Sequence, residues 1–233
     1  ASNYNFRVNG GSAQSSALNT YTTSTLVDGD VVDVVITSAA GCAGTSAGIT
    51  INVDVAPNAA SAGPDIIQCN NSTFTMNGNL PAAGTTGTWS IVSGTATITS
   101  PNVRNTTVTG VVAGSGNVVL RWTISNGVCT STFDNMLVRN DALPTVSNAG
   151  GDQLVCGTTT NLSANAPVVG TGVWSMVSNP DLLGAISDAN SRTSLFTGTP
   201  GQTYVLRWTI GNGSCAASTD DVQITFEGSP TVA

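Results

Sequence analysis

The chain has 233 residues and a formal net charge of -7, yet only 8% of its residues are charged. All six basic residues are Arg, there is no His or Lys, and Glu227 is the one Glu among thirteen acids. An acidic chain without a basic patch cannot neutralise phosphates, which argues against nucleic acid and anionic membrane surfaces as partners; no apolar run nears the roughly 20 residues of a bilayer span.

The bulk of the chain is Thr, Ser, Asn, Gly, Ala and Val. Val and Thr favour strands, Gly and Asn favour tight turns, and no stretch shows the 3.6-residue apolar period of a helix. Residues 1–56 form the first unit. "NYNFRVNGG" alternates Tyr4, Phe6 and Val8 onto one face and turns at Asn9-Gly10. "NTYTTSTL", "DVVDVVITS" and "GITINVDV" supply further strands, about four in all. One such layer leaves an apolar face uncovered. The unit therefore reads as the C-terminal half of a β-sandwich, with Tyr4, Phe6, Val8, Ile49 and Ile51 on a face that upstream strands, or strands of another molecule, cover.

The next two units are copies of each other. "SAGPDIIQC" (61–69) faces "NAGGDQLVC" (148–156), "GTWSIVS" (87–93) faces "GVWSMVS" (172–178), and "LRWTISNGVC" (120–129) faces "LRWTIGNGSC" (206–215). A steady offset with small indels marks a tandem repeat, running about 63–143 and 150–228. Pro57, Pro144 and Pro230 keep the same period, so "SPTVA" (229–233) reads as the start of a linker to a further repeat. With no starting Met and no signal peptide, the chain reads as a mature piece or an excised fragment. In "LRWTI", Leu120, Trp122 and Ile124 share one face and Arg121 and Thr123 the other, the period of a sheet with one buried side. Seven or so such strands in about 85 residues predict an immunoglobulin-like β-sandwich. The fold expected is all-β: tandem sandwiches in an extended array, the first of them partial. Copies joined by a few residues around a Pro should lie end to end, each touching its neighbours, with further copies as partners if a filament forms.

Five cysteines stand at 42, 69, 129, 156 and 215. Each full copy has one near its start and one after the "LRWTI" strand, 60 and 59 positions apart. Equal spacing in two copies predicts intradomain disulfides Cys69–Cys129 and Cys156–Cys215 and an oxidising, extracellular compartment. Cys42, in the place of Cys129, is left unpaired. Zinc is the weaker reading, because two Cys per copy and no His make a poor site. Trp89, Trp122, Trp174 and Trp208 lie on the apolar sides of alternating strands and are read as core, not as sugar-stacking platforms.

Asp65 and Asp152 sit at equivalent positions before the first strand of each copy. Calcium takes several oxygen ligands, and these two are its candidate ligands; bonding to backbone N–H groups in a turn is the competing role. No other cofactor is expected. Without His the usual general base is missing, and without Lys a Ser-Lys pair is excluded. The chain is read as a non-enzyme with no catalytic residues.

These phrases, "SAGPD" (61–65), "LRWTISNGVC", "LRWTIGNGSC" and "STDDVQIT" (218–225), resemble the tandem repeats of giant cell-surface proteins of Bacteroidetes, gliding-motility-associated proteins exported by the type IX secretion system. The first copy departs from the pattern at "STFDNMLV" (131–138). The resemblance implies cell adhesion, or the stalk that holds an adhesin away from the cell, and supplies no ligand residues. A glycan- or protein-binding module, and an accessory domain of a secreted hydrolase, are the competing functions.

Overall fold

Strand-forming residues in alternation, cut every few positions by Gly, Asn or Pro, build nothing but strands and turns. The computed structural model describes residues 2–228, and the expected linker at 229–233 lies outside them. The first sheet joins β1 (Asn3–Val8), β2 (Gly11–Ser16), β3 (Val31–Thr37), β4 (Ala43–Thr45) and β5 (Ile49–Thr50) in the order β2-β1-β3-β4, with β5 also on β3. The β1–β2 hairpin turns on Asn9 and Gly10, both at positive φ (53° and 79°), the conformation a tight two-residue hairpin demands. Register places Tyr4, Phe6 and Val8 opposite Ile36, Val34 and Val32 on one face. Arg7 pairs with Asp33 on the other face, both contacts at 2.7 Å. Phe6 stacks on Tyr21 at 5.7 Å, so the irregular segment after β2 covers part of the apolar face. The cover is incomplete: Ile36 is 42% exposed, Ile49 68%, and no described residue before Ala62 is fully buried.

The first repeat carries β6 (Ile66–Cys69), β7 (Phe74–Thr75), β8 (Thr86–Ser93), β9 (Thr97–Ile98), β10 (Thr107–Thr109), β11 (Asn117–Ser125) and β12 (Thr132–Asp141). The second carries β13 (Gln153–Val155), β14 (Thr159–Asn161), β15 (Thr171–Ser178), β16 (Ala185–Ile186), β17 (Leu195–Thr197), β18 (Thr203–Gly211) and β19 (Ser218–Phe226). Each repeat builds a four-stranded sheet, β6-β12-β11-β8 or β13-β19-β18-β15, and a three-stranded sheet, β7-β10-β9 or β14-β17-β16. The first strand of each repeat runs parallel to the last, while the described pairings of the other strands are antiparallel.

Burial follows the two-residue period of the sequence. β11 and β18 alternate buried and half-buried positions along their whole length. In the second repeat Leu162, Trp174, Phe196, Tyr204, Leu206, Trp208, Val222 and Phe226 close one core between the sheets. Trp174 faces Trp208 across the strands at 5.1 Å, and Trp89 packs on Trp122 at 5.0 Å. All four tryptophans are at most 2% exposed. Burying a side chain of this size, about 200 Å², stabilises by about 5 kcal/mol of transfer free energy. The rings also demand glycine beside them: a Cβ on Gly172 would overlap Trp208, and one on Gly78 would press into Trp122.

The chain gathers into two compact units. The first holds the N-terminal sheet with Leu80–Gly87 and Thr123–Phe133; the second holds the rest of the first repeat together with the second repeat.

Candidate functional site: a stapled junction between repeats

The phrase that the chain writes twice ends in a loop, Asn212-Gly213-Ser214-Cys215 in its second occurrence. β18 delivers this loop to the end of the first repeat. There the Asn212 side-chain amide donates to Ala142 O at 2.7 Å, and the Ser214 backbone N–H donates to Asp141 Oδ2 at 2.7 Å. Gly213 has a φ of +53°, and a Cβ there would collide with the Asp141 carboxylate, so the approach needs glycine. Asp141 is 8% exposed and is also held by Arg139 Nε at 2.8 Å. The Ser214 N–H, then Arg139, lower the Asp141 pKa below the ordinary carboxylate value. Beneath the loop, Asn140 is buried and bonded at both ends of its amide: Nδ2 donates to Val111 O, and Oδ1 accepts the Asn71 N–H.

Cys215 of this loop is bonded to Cys69, with their Cα atoms 4.8 Å apart and 146 positions between them in sequence. This corrects the expected pairs Cys69–Cys129 and Cys156–Cys215. Cys42, Cys129 and Cys156 are free. The reason is the parallel first strand. In the second repeat Val155 lies beside Phe226, the last residue of β19, whereas Cys215 precedes Ser218, the first. Nine residues at about 3.3 Å each put the two cysteines of one repeat about 30 Å apart, far beyond disulfide reach. By the same register Cys69 lies beside Asp141, the last residue of β12, and Cys129 precedes the first. Equal spacing in two copies could not expose this. In a tandem array it is met equally by pairing within a copy and by pairing each first cysteine with the next copy's second.

The sister loop, Asn126-Gly127-Val128-Cys129, repeats half of the arrangement. Asn126 Nδ2 donates to Val55 O at 2.8 Å, and Asn126 Oδ1 accepts Cys129 N–H at 2.8 Å. Gly127 also has positive φ, +80°, but with open space around it. A sequence signal for both docking points was present and unread: an acid two residues before the linker's X-Pro step, as Asp54-Val55-Ala56-Pro57 and Asp141-Ala142-Leu143-Pro144.

The calcium candidates do other work. Asp65 Oδ1 accepts the Leu137 N–H at 2.8 Å, and Asp152 Oδ1 accepts the Gln223 N–H at 2.8 Å. In return Asp134 accepts the Ala62 N–H at 2.8 Å and Asp220 the Ala149 N–H at 2.7 Å. Each pair of carboxylates clasps the entering segment to the last strand of its repeat, satisfying backbone donors that strand pairing leaves open. Asp28, Asp30 and Asp33 are likewise engaged, with Val53 N–H, with Asn9 and Val27 N–H, and with Arg7. Among the described residues no group of three or more His, Cys, Asp or Glu is placed to hold a metal ion.

No family model matches the chain, and no curated protein matches it. Among solved structures, extracellular domains 3–5 of Drosophila OTK superpose with a TM-score of 0.52 at 10% identity, over 97% of this chain and 85% of that one. The fold is that of tandem immunoglobulin-like domains. Immunoglobulin domains 1–5 of Sidekick-1 also match, with a TM-score of 0.46 at 14% identity, over 97% of this chain and 54% of that structure. Among the described residues of this tandem immunoglobulin-like chain, no helix is long and apolar enough to cross a membrane.

Proposed function

We propose that this chain is a spacer region of an extracellular adhesion protein, a non-catalytic array that carries an adhesive part away from a cell surface. The observation that carries the reading is the Cys69–Cys215 bond, which staples one repeat to the next. A disulfide persists in oxidising, extracytoplasmic settings. Placed between domains it leaves each fold as it is and restricts the joint, which suits an element whose work is reach under load. The resemblance of the repeat phrases to Bacteroidetes surface proteins supports display on a bacterial cell by type IX export.

Small-angle scattering tests the reach. The expected radius of gyration is well above the roughly 17–18 Å of a globular chain of this length, and a value near that figure overturns the reading. Single-molecule extension with and without reductant tests the staple. The expected trace gains the contour length of residues 69–215 only after the Cys69–Cys215 bond is reduced.

A second reading has its own observation. The open face of the N-terminal sheet, with Ile36 and Ile49 exposed beside Tyr4, Phe6 and Val8, fits the missing half of an immunoglobulin-like sandwich supplied as strands. Protection of the Phe6 and Val34 amides from hydrogen exchange when a strand peptide is added to this chain, above that in the chain alone, is its expected mark.

A further inference from the structure

The two free cysteines of the repeats stand where the two bonded ones stand. Cys156 follows β13 as Cys69 ends β6. Cys69 lies beside Asp141, and Val155 lies beside Phe226, so one step on Cys156 lies beside Glu227, a carboxylate in the place of Asp141. The Glu227 N–H donates to Val155 O at 2.9 Å and holds that register. Both acids lead into the same linker, Asp141-Ala142-Leu143-Pro144 and Glu227-Gly228-Ser229-Pro230. The difference is cover. Asp141 is buried under the Ser214 loop, while Cys156 and Glu227 are both exposed. The opposite half of the junction is repeated as well. The loop ending at Cys129 docks through Asn126 on Val55 as the loop ending at Cys215 docks through Asn212 on Ala142, with its thiol free. Each repeat therefore carries a plug at one end, the Asn-Gly-x-Cys loop, and a socket at the other, its first cysteine beside an acid.

We propose that Cys156 and Glu227 form the socket for a further repeat of this same type. Cys156 bonds the cysteine of that repeat's Asn-Gly-x-Cys loop, and Glu227 accepts a backbone N–H of the loop as Asp141 accepts that of Ser214. The rule is first cysteine of one repeat to second cysteine of the next, which makes the disulfides a ladder of joints. Closing the rung removes two protons and two electrons from the two thiols. A small-molecule or protein disulfide takes them up and leaves as two thiols. The ladder deepens the spacer reading and is tested apart from it, since bond mapping does not depend on reach.

The test extends the full chain by a second copy of residues 148–233 placed directly after Ala233. This keeps the repeat register, because Pro230-Thr231-Val232 matches Pro144-Thr145-Val146. The protein is folded in a glutathione redox buffer and its bonds are mapped by non-reducing mass spectrometry. The expected map keeps Cys69–Cys215 and links Cys156 to the second cysteine of the added copy. The three free thiols of the present chain remain three in number, because the added first cysteine replaces Cys156 among them. Cys156 bonded to Cys215 overturns the proposal. So does a free Cys156 both in this chain and in a second one that carries a copy of residues 61–143 in the same place, which guards against a single misfolded extension.

Discussion

The two occurrences of the repeated phrase end in the same loop and meet different fates. Asn126 and Asn212 both fasten their loop to a backbone carbonyl just before a linker proline, at 2.8 and 2.7 Å. Beyond that point the second loop gains an acid under Ser214 and a covalent bond, and the first has neither among its described contacts except its own Asn126 turn. Nearly identical sequence does not fix even the turn of a loop: the Cys129 N–H bonds the Asn126 side-chain oxygen, and the Cys215 N–H bonds the Asn212 backbone oxygen. What it grips is set by what the neighbouring segment brings. The strands leading in differ as well: Trp122 Nε1 donates to Asn79 Oδ1 at 3.2 Å, whereas the buried Trp208 Nε1 finds no partner.

The largest effect should come from removing the staple. Cys215→Ser opens a loop of 146 positions, which the chain-entropy model values at about 5 kcal/mol. Urea unfolding followed by Trp fluorescence should show a large fall in midpoint and a free Cys69 thiol by mass labelling. Cys129→Ser in the sister loop should leave the midpoint of this chain unchanged. A matching fall there would erase the distinction between the loops.

Next come the paired tryptophans. Trp122→Phe deprives Asn79 of a hydrogen-bond donor and leaves space, while Trp208→Phe removes an N–H that is already unsatisfied. Asn79 Oδ1 keeps the Ser61 N–H, so thermal unfolding should show Trp122→Phe as the more damaging by about 1 kcal/mol, the net value of one hydrogen bond. Equal costs would mean that the Asn79 bond contributes nothing.

A smaller contrast separates the glycines. Gly127→Ala strains a left-handed residue in open space, costing about 1 kcal/mol. Gly213→Ala carries that strain and also drives the Asp141 carboxylate off the Ser214 N–H, so its cost by denaturant titration should exceed that of Gly127→Ala.

The smallest expected effect is that of acid. The folded pKa of Asp141 lies below its unfolded value, chiefly through the Ser214 N–H. Its contribution is present above the unfolded value, near pH 3.9, and is lost as pH falls through the folded one. Hydrogen exchange at the Ser214 amide should accelerate below about pH 4 relative to Cys129. Unchanged protection would show that the bond does not depend on the charge.

Much of the molecule was legible in the letters. Alternation in "LRWTI" marked the buried face of β11 and β18, because a strand turns successive side chains to opposite sides whatever it packs against. The Asn9-Gly10 turn was readable for a similar reason: few residues accept positive φ twice running. The offset between copies disclosed the tandem repeat that the two four-stranded sheets follow.

The partner of each cysteine was not legible, nor was the work of Asp65 and Asp152. Both depend on the parallel pairing of the first strand with the last, which carries Cys69 to the far end of β12 and sets Asp65 against the Leu137 amide. Alternation and spacing describe a strand and its repeat, and they are local quantities. Which end of a sheet a residue reaches, and which loop of the next repeat arrives there, is settled by strand direction in three dimensions.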